Sequence, residues 1–214
     1  MRKLLSPSIL AVLLSTIFLI PPAYAAESIV PIMAIQQDDN LKEQGIIAFL
    51  VLEFERRQDT SGLIVTFNNT PGQFSRQTQT AIEYGIRIAA KLTGENTDSW
   101  TFKLTVPYPG LTVHGVSCQA MVAISAILLS TYGTVPEQII MTGTLQPDGT
   151  IGPVGGVPNK VLAAGIQFPH ILVPDIVDID SGDWQTPFLV EVQPTATFAN
   201  AFAVFKAYLL TTSK

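Results

Sequence analysis

The sequence predicts a single α+β domain of mixed α/β character, with several strands and packed helices. Three observations carry that expectation. A chain of 214 residues is long enough to bury a substantial core within one domain. With 47% apolar and 14% charged residues, it has the composition of a globular chain rather than a disordered one. Runs of strand character also alternate with runs of helical period: strands, helix, strand, helix, hairpin, then helix and strand in turn.

The elements follow in order. Ser28–Ile35, Gly45–Glu55, Gly62–Asn68 and Trp100–Pro107 are rich in Val, Ile and Phe and predict four strands. Between the third and fourth, Ala81, Ile82, Ile86, Ala89 and Ala90 fall at helical spacing, and Gly94 is the stop. The run from Ser117 to Thr131 is apolar almost all round, which predicts a helix buried on most faces. IIMTGTL and TIGPV predict two strands joined by the turn Gln146-Pro147-Asp148-Gly149. A short helix through Lys160-Val161-Leu162-Ala163-Ala164 then leads to the strand HILVP. The acidic loop DIVDIDSGDW precedes the strand FLVEVQ and a closing helix, TFANAFAVFKAYLL. No internal repeat or linker interrupts the series.

The N-terminus reads as an export signal, residues 1–25. Arg2 and Lys3 supply a positive start, Ile9–Ile20 a short apolar run, and Ala23-Tyr24-Ala25 a small-residue cleavage site. The apolar run is shorter than the ~20 residues a spanning helix needs, and Pro21-Pro22 closes it. The expected mature domain is 26–214, exported to a periplasm or secreted. Losing Arg2 and Lys3, the only charges of the segment, takes the net charge from −5 to −7. That balance, with no basic cluster, argues against nucleic acid as a partner. Cys118 is the only cysteine, so no internal disulfide is expected.

Several chemistries can be set aside. In IGPVGGVPNKVLAAG the lysine, Lys160, follows Pro158-Asn159 and precedes Val161, so there is no phosphate loop with its Ser or Thr for Mg²⁺. The spacing of Gly152, Gly155 and Gly156 is not that of a dinucleotide fingerprint. His114 and His170 are far apart and outside any HExxH pattern. Asp175, Asp178, Asp180 and Asp183 lack the EF-hand pattern and read as a solvated loop. No metal or cofactor is expected. A Ser-His-Asp hydrolase would carry GxSxG, which does not occur.

A serine with a lysine remains. Such a pair needs a serine on a tight turn at a helix start, where backbone N–H groups can hold an oxyanion. It also needs a lysine in apolar surroundings that lower its pKa until it can act as a neutral base. Ser117 follows His114-Gly115-Val116 and opens the apolar helix, and Lys160 is the only charge between Ile151 and Ala164. Taken alone, the two residues fit a helix N-cap serine and a surface lysine better.

GVSCQAMVAISAIL, IIMTGTLQPDGTIGPVGGVPNKVLAAGI and HILVP together resemble the proteolytic domain of Lon proteases. Gly115-Val116-Ser117 falls on that family's nucleophile motif, Met141-Thr142-Gly143 on its MTGE segment, and Val154–Lys160 on its lysine segment. Ser117 and Lys160 stand 43 residues apart, in the family's register without a gap. The close match runs from Thr101 to Pro174.

The resemblance implies a Lon-type proteolytic domain, a homo-oligomeric ring, and a Ser-Lys dyad of Ser117 and Lys160. Thr142 would position the lysine amine, while His114, Gly115, Val116 and Cys118 would support the nucleophile turn. Cys118-Gln119 stands where the family has Ala-Gly, so Gln119 is expected to narrow the substrate cleft. His114 replaces a common acid, either tuning the dyad or satisfying a loop hydrogen bond. Thr144 replaces the glutamate of MTGE, and Lys103 and Thr105 occupy places often held by histidines. No ATPase segment is recognised. The expected function is therefore an ATP-independent serine endopeptidase acting on peptides or unfolded polypeptides. A catalytically silent Lon-like binding or assembly module and a Ser/Lys amidase remain as alternatives.

Overall fold

The computed structural model describes residues 24–37, 40–176 and 189–212. Strands β1 (Tyr24–Gln37) and β2 (Glu43–Arg56) pair antiparallel along their whole length, from Tyr24 opposite Arg56 to Gln37 opposite Glu43. Period-two alternation along β2 buries Ala48, Leu50, Leu52 and Phe54 and turns Glu53 and Glu55 outward. Then follow β3 (Ile64–Phe67), β4 (Gln73–Phe74), α1 (Arg76–Thr93), β5 (Trp100–Thr105) and β6 (Thr112–Val113).

The first sheet has the order β1-β2-β5-β3, with β3 and β5 parallel. Parallel neighbours need a crossover, and α1 supplies it. Ser75 caps α1 by accepting a hydrogen bond from the Thr78 N–H, and Gly94 ends it in the left-handed conformation. On the inner face, the Phe54 ring lies 5.0 Å from Phe102 and 5.7 Å from Trp100.

The second half contains α2 (Gln119–Tyr132), β7 (Ile139–Met141), β8 (Thr144–Leu145), β9 (Ile151–Gly152), α3 (Val157–Ala164), β10 (His170–Pro174), β11 (Glu191–Thr195) and α4 (Phe198–Thr212). Strands β11-β10-β7 form a parallel sheet, and β8 and β9 form a small hairpin. Helix α2 has no polar face, and every residue from Gln119 to Ser130 is buried. It is accordingly the central helix, packed against α1, β1, β2 and α4. The α+β class expected from the sequence is the class observed.

Three details differ from the sequence reading. IIMTGTL is not one strand: β7 stops at Met141 and pairs with β10, while β8 restarts at Thr144 and pairs with β9. The break falls where Gly143 N–H turns aside to the Ser117 carbonyl. Helix α2 begins at Gln119, so Ser117 precedes it rather than opening it. Strand β1 starts at Tyr24, so Ala25, the last residue of the expected export signal, is its second residue. The rest of that signal, and Asp178, Asp180 and Asp183 of the acidic loop, lie outside the described residues. Among the described residues no helix is long and apolar enough to cross a membrane.

Helix α3, which carries Lys160, lies directly on β2. A side-chain carbon at Gly45 would overlap the Asn159 carbonyl and press on Ala163. Gly155 faces open space. Gly45→Ala is therefore expected to lower unfolding free energy by about 2 kcal/mol, as overpacking does, in urea denaturation. Gly155→Ala should stay within about 0.5 kcal/mol of wild type, as substitutions away from packed features do.

Candidate active site

Ser117 sits on the turn between β6 and α2, half-buried. Its carbonyl accepts two hydrogen bonds, from the Gly143 amide at 3.0 Å and from the Thr142 hydroxyl at 3.2 Å. Those bonds take the carbonyl out of the helical ladder, which is why α2 starts two residues later. The turn itself needs Gly115, whose φ of 86° is left-handed. Cys118 occupies the cap position without a side-chain capping bond. Among the described residues, neither the Ser117 nor the Cys118 amide donates to another backbone carbonyl.

Lys160 comes from the opposite wall. Gly156, left-handed at φ 65°, starts α3, and Pro158 lies in its first turn. A Cβ on Gly156 would come within 2.7 Å of the Ile35 side chain, so the helix entry is pressed against β1. Lys160 points inward from α3 and is only 3% exposed. Its ammonium donates to the Thr142 hydroxyl at 3.5 Å, a long bond. Burial pushes its pKa down from 10.5 to about 8, with the Cys118 sulfur pulling weakly the other way. Burial raises the Cys118 thiol to about 11, so it is neutral at physiological pH.

Ser117 and Lys160 line one open cavity of about 430 Å³, with Ile32, Ala34, Ile46 and His114 among its other walls. Thr142, fully buried, links the two: its single hydroxyl proton goes to Ser117 and its lone pairs receive Lys160. No direct hydrogen bond joins the Ser117 hydroxyl to the Lys160 amine. His114 is exposed on the cavity wall. Val116 is half-buried, accepts from the Gln119 amide at 3.1 Å and lines a separate groove with Tyr84 and Gln146.

Gln119 does not line the cavity that Ser117 and Lys160 share. It is buried, its side-chain oxygen accepts from the Leu145 amide at 2.9 Å, and its Cγ fills the space opposite Gly85 of α1. It lines instead the neighbouring groove with Val116 and Tyr84, and it ties α2 to β8. Thr144 takes a hydrogen bond from Gln146 at 3.3 Å. Lys103 faces outward to pair with Glu53, and Thr105 accepts from Asn68. Neither belongs to the site. Among the described residues no cluster of His, Cys, Asp and Glu could hold a metal ion.

The sequence reading missed the anchoring of residues 113–115 by the start of α1, and the packing of Gly45 against Asn159. Ser75, an N-cap residue type ahead of a helical run, was the one signal in the sequence for the first.

The chain is 31% identical over 117 residues to Lon protease 2 of Syntrophobacter fumaroxidans. The match covers 50% of this chain and 15% of that protein. The relationship to Lon proteases is remote. No protein-family model matches the chain.

The Lys160 pKa makes stability depend on pH. The unfolded lysine binds its proton up to 10.5, whereas the folded one releases it through about 8. Folding is therefore opposed by a buried charge below pH 8, and that opposition fades as pH rises toward 10.5. Lys160→Met is expected to be more stable than wild type at pH 7. The difference between the two melting temperatures should shrink between pH 8 and 10.5.

Proposed function

We propose that the protein is a serine peptidase with Ser117 as nucleophile and Lys160 as general base. One observation carries the reading: a serine on a helix-entry turn and a lysine held near pKa 8 by burial share one cavity, joined through Thr142. A lysine of that pKa is neutral in roughly a tenth of molecules at pH 7, enough to serve as a base. Thr142 takes one amine N–H, which leaves the nitrogen lone pair free to face the serine. The distant similarity to a Lon protease points to the same chemistry and to a peptide or protein substrate.

In the proposed reaction Ser117 Oγ attacks the substrate carbonyl while Lys160 takes its proton. The ammonium then returns the proton to the leaving amine, and water hydrolyses the acyl-enzyme with the lysine again as base. The unengaged amides of Ser117 and Cys118 are the candidate oxyanion donors. The cavity walls Ile32, Ala34, Ile46 and Ala48 favour an apolar side chain beside the scissile bond.

We further infer action without ATP on peptides or unfolded segments, by a chain exported through residues 1–25 and assembled as a ring. The serine-lysine separation without a direct bond favours the second reading, a silent binding or assembly module. Resting sites often hold such pairs loosely until substrate binds.

Labelling with a fluorophosphonate decides between them. Wild type is expected to label at Ser117 and to cleave unfolded casein, with a rate that rises with pH through a midpoint near 8. Ser117→Ala should abolish labelling, and Lys160→Met should slow it by about a thousandfold. A folded wild type that neither labels nor cleaves casein would leave the silent module standing. Labelling with cleavage of small amides but not casein would identify an amidase.

A further inference from the structure

We propose that Thr78 is a positioning residue for the nucleophile turn, an inference that rests on reading Ser117 as the nucleophile. Thr78 lies in the first turn of α1 and is fully buried. Its hydroxyl reaches two carbonyls of the loop leading into Ser117, Val113 at 3.1 Å and Gly115 at 2.9 Å. A threonine has one hydroxyl proton, so the two acceptors share it. The Thr78 oxygen in turn lies 2.8 Å from the Ser75 hydroxyl. With the Thr78 proton turned toward the loop, Ser75 is the donor in that contact, which fixes the direction of the relay.

The two acceptors are not equivalent. Val113 also receives the Ser75 amide at 2.9 Å, so it keeps a partner if the Thr78 hydroxyl is lost. Among the described residues no backbone amide bonds the carbonyl of Gly115. Its left-handed φ of 86°, in a place where a Cβ would meet nothing within 4 Å, shows a residue chosen for conformation rather than for space. The Thr78 hydroxyl therefore holds the one unusual backbone conformation of the turn, two residues before Ser117.

On the far side, Ser117 is held through its carbonyl by Gly143 and Thr142. Two buried threonine hydroxyls thus brace the turn from opposite directions, one from α1 and one from the lysine side. A catalytic atom displaced by an ångström loses rate far more than binding, so removal of one brace should appear in the chemical step.

The test compares Thr78→Val, which keeps the shape and drops the hydroxyl, with Thr78→Ser, which keeps the hydroxyl. Readouts on the full chain are the fluorophosphonate labelling rate of Ser117, the kcat and KM for a peptide substrate, and the melting temperature. The valine variant should lose about ten- to a hundredfold in labelling rate and kcat with KM within about twofold. The serine variant should recover to within about threefold of wild type, as expected when the hydroxyl alone matters.

If the valine variant does not fold, Ser75→Ala, which removes the donor to Thr78, should lower labelling several-fold while the protein stays folded. Valine, or in that case Ser75→Ala, labelling at the wild-type rate would overturn the role of Thr78 alone. So would a serine variant that falls as far as valine. A wild type that never labels would instead overturn the peptidase reading, and this assignment with it.

Discussion

The arrangement depends on one carbonyl oxygen, that of Ser117. It accepts the Gly143 amide and the Thr142 hydroxyl, and so sits outside both the helix that follows and the strand pairing nearby. Had it entered the α2 ladder, Ser117 would be an ordinary first-turn helix residue. Because it is engaged sideways, the helix starts at Gln119 and the serine stands on a turn facing a cavity. The same pair of bonds breaks the strand run after Met141, so the edge of the parallel sheet and the Ser117 turn are made at one carbonyl. Thr142 adds the third connection by receiving Lys160. Three segments far apart in sequence meet at a single hydroxyl.

Lys160 arrives there through backbone packing rather than through its own side chain. Helix α3 rests on β2 where Gly45 lets the Asn159 carbonyl come close, and it enters against Ile35 of β1 where Gly156 permits a left-handed turn. These close approaches set where α3 lies on the sheet, and with it the direction in which the lysine stem extends. That direction is inward, among apolar neighbours, and it is the reason the ammonium is destabilised. The electrostatic property follows from the close fit of two backbones.

Much of this fold was legible in the sequence because it depends on local signals. The alternation Ala48, Leu50, Leu52, Phe54 and the helical spacing of Ile82, Ile86 and Ala89 are period signals that a window of a few residues contains. Gly94 ended a helix as glycine usually does. A resemblance in three ordered motifs paired Ser117 with Lys160, and the fold brings both to one cavity. What could not be read was decided by non-local partners. The break after Met141 depends on Ser117, which Thr142 meets from 25 residues along the chain. Gln119 looked like added bulk in a cleft, but its partner Leu145 and the matching gap at Gly85 become visible only once α1, α2 and β8 are assembled. Gly45 carried no turn signal because its reason is the Asn159 backbone across from it.

If the site is the peptidase proposed above, the nature of the Lys160 shift sets how it responds to an occupant. A lysine can be made neutral by a neighbouring cation or by removal of water, and here burial is the main cause. The titratable group that acts on it, Cys118, is itself held as a neutral thiol by burial and supplies little counter-charge at neutral pH. The lysine therefore depends on how dry its surroundings are. The cavity it shares with Ser117 is open in the free protein, and an apolar segment seated on Ile32, Ala34 and Ile46 would displace the remaining water. On the proposed peptidase reading, occupation disfavours the ammonium further and produces the neutral amine when a carbonyl stands before Ser117. The contact that delivers a substrate would then also ready the base.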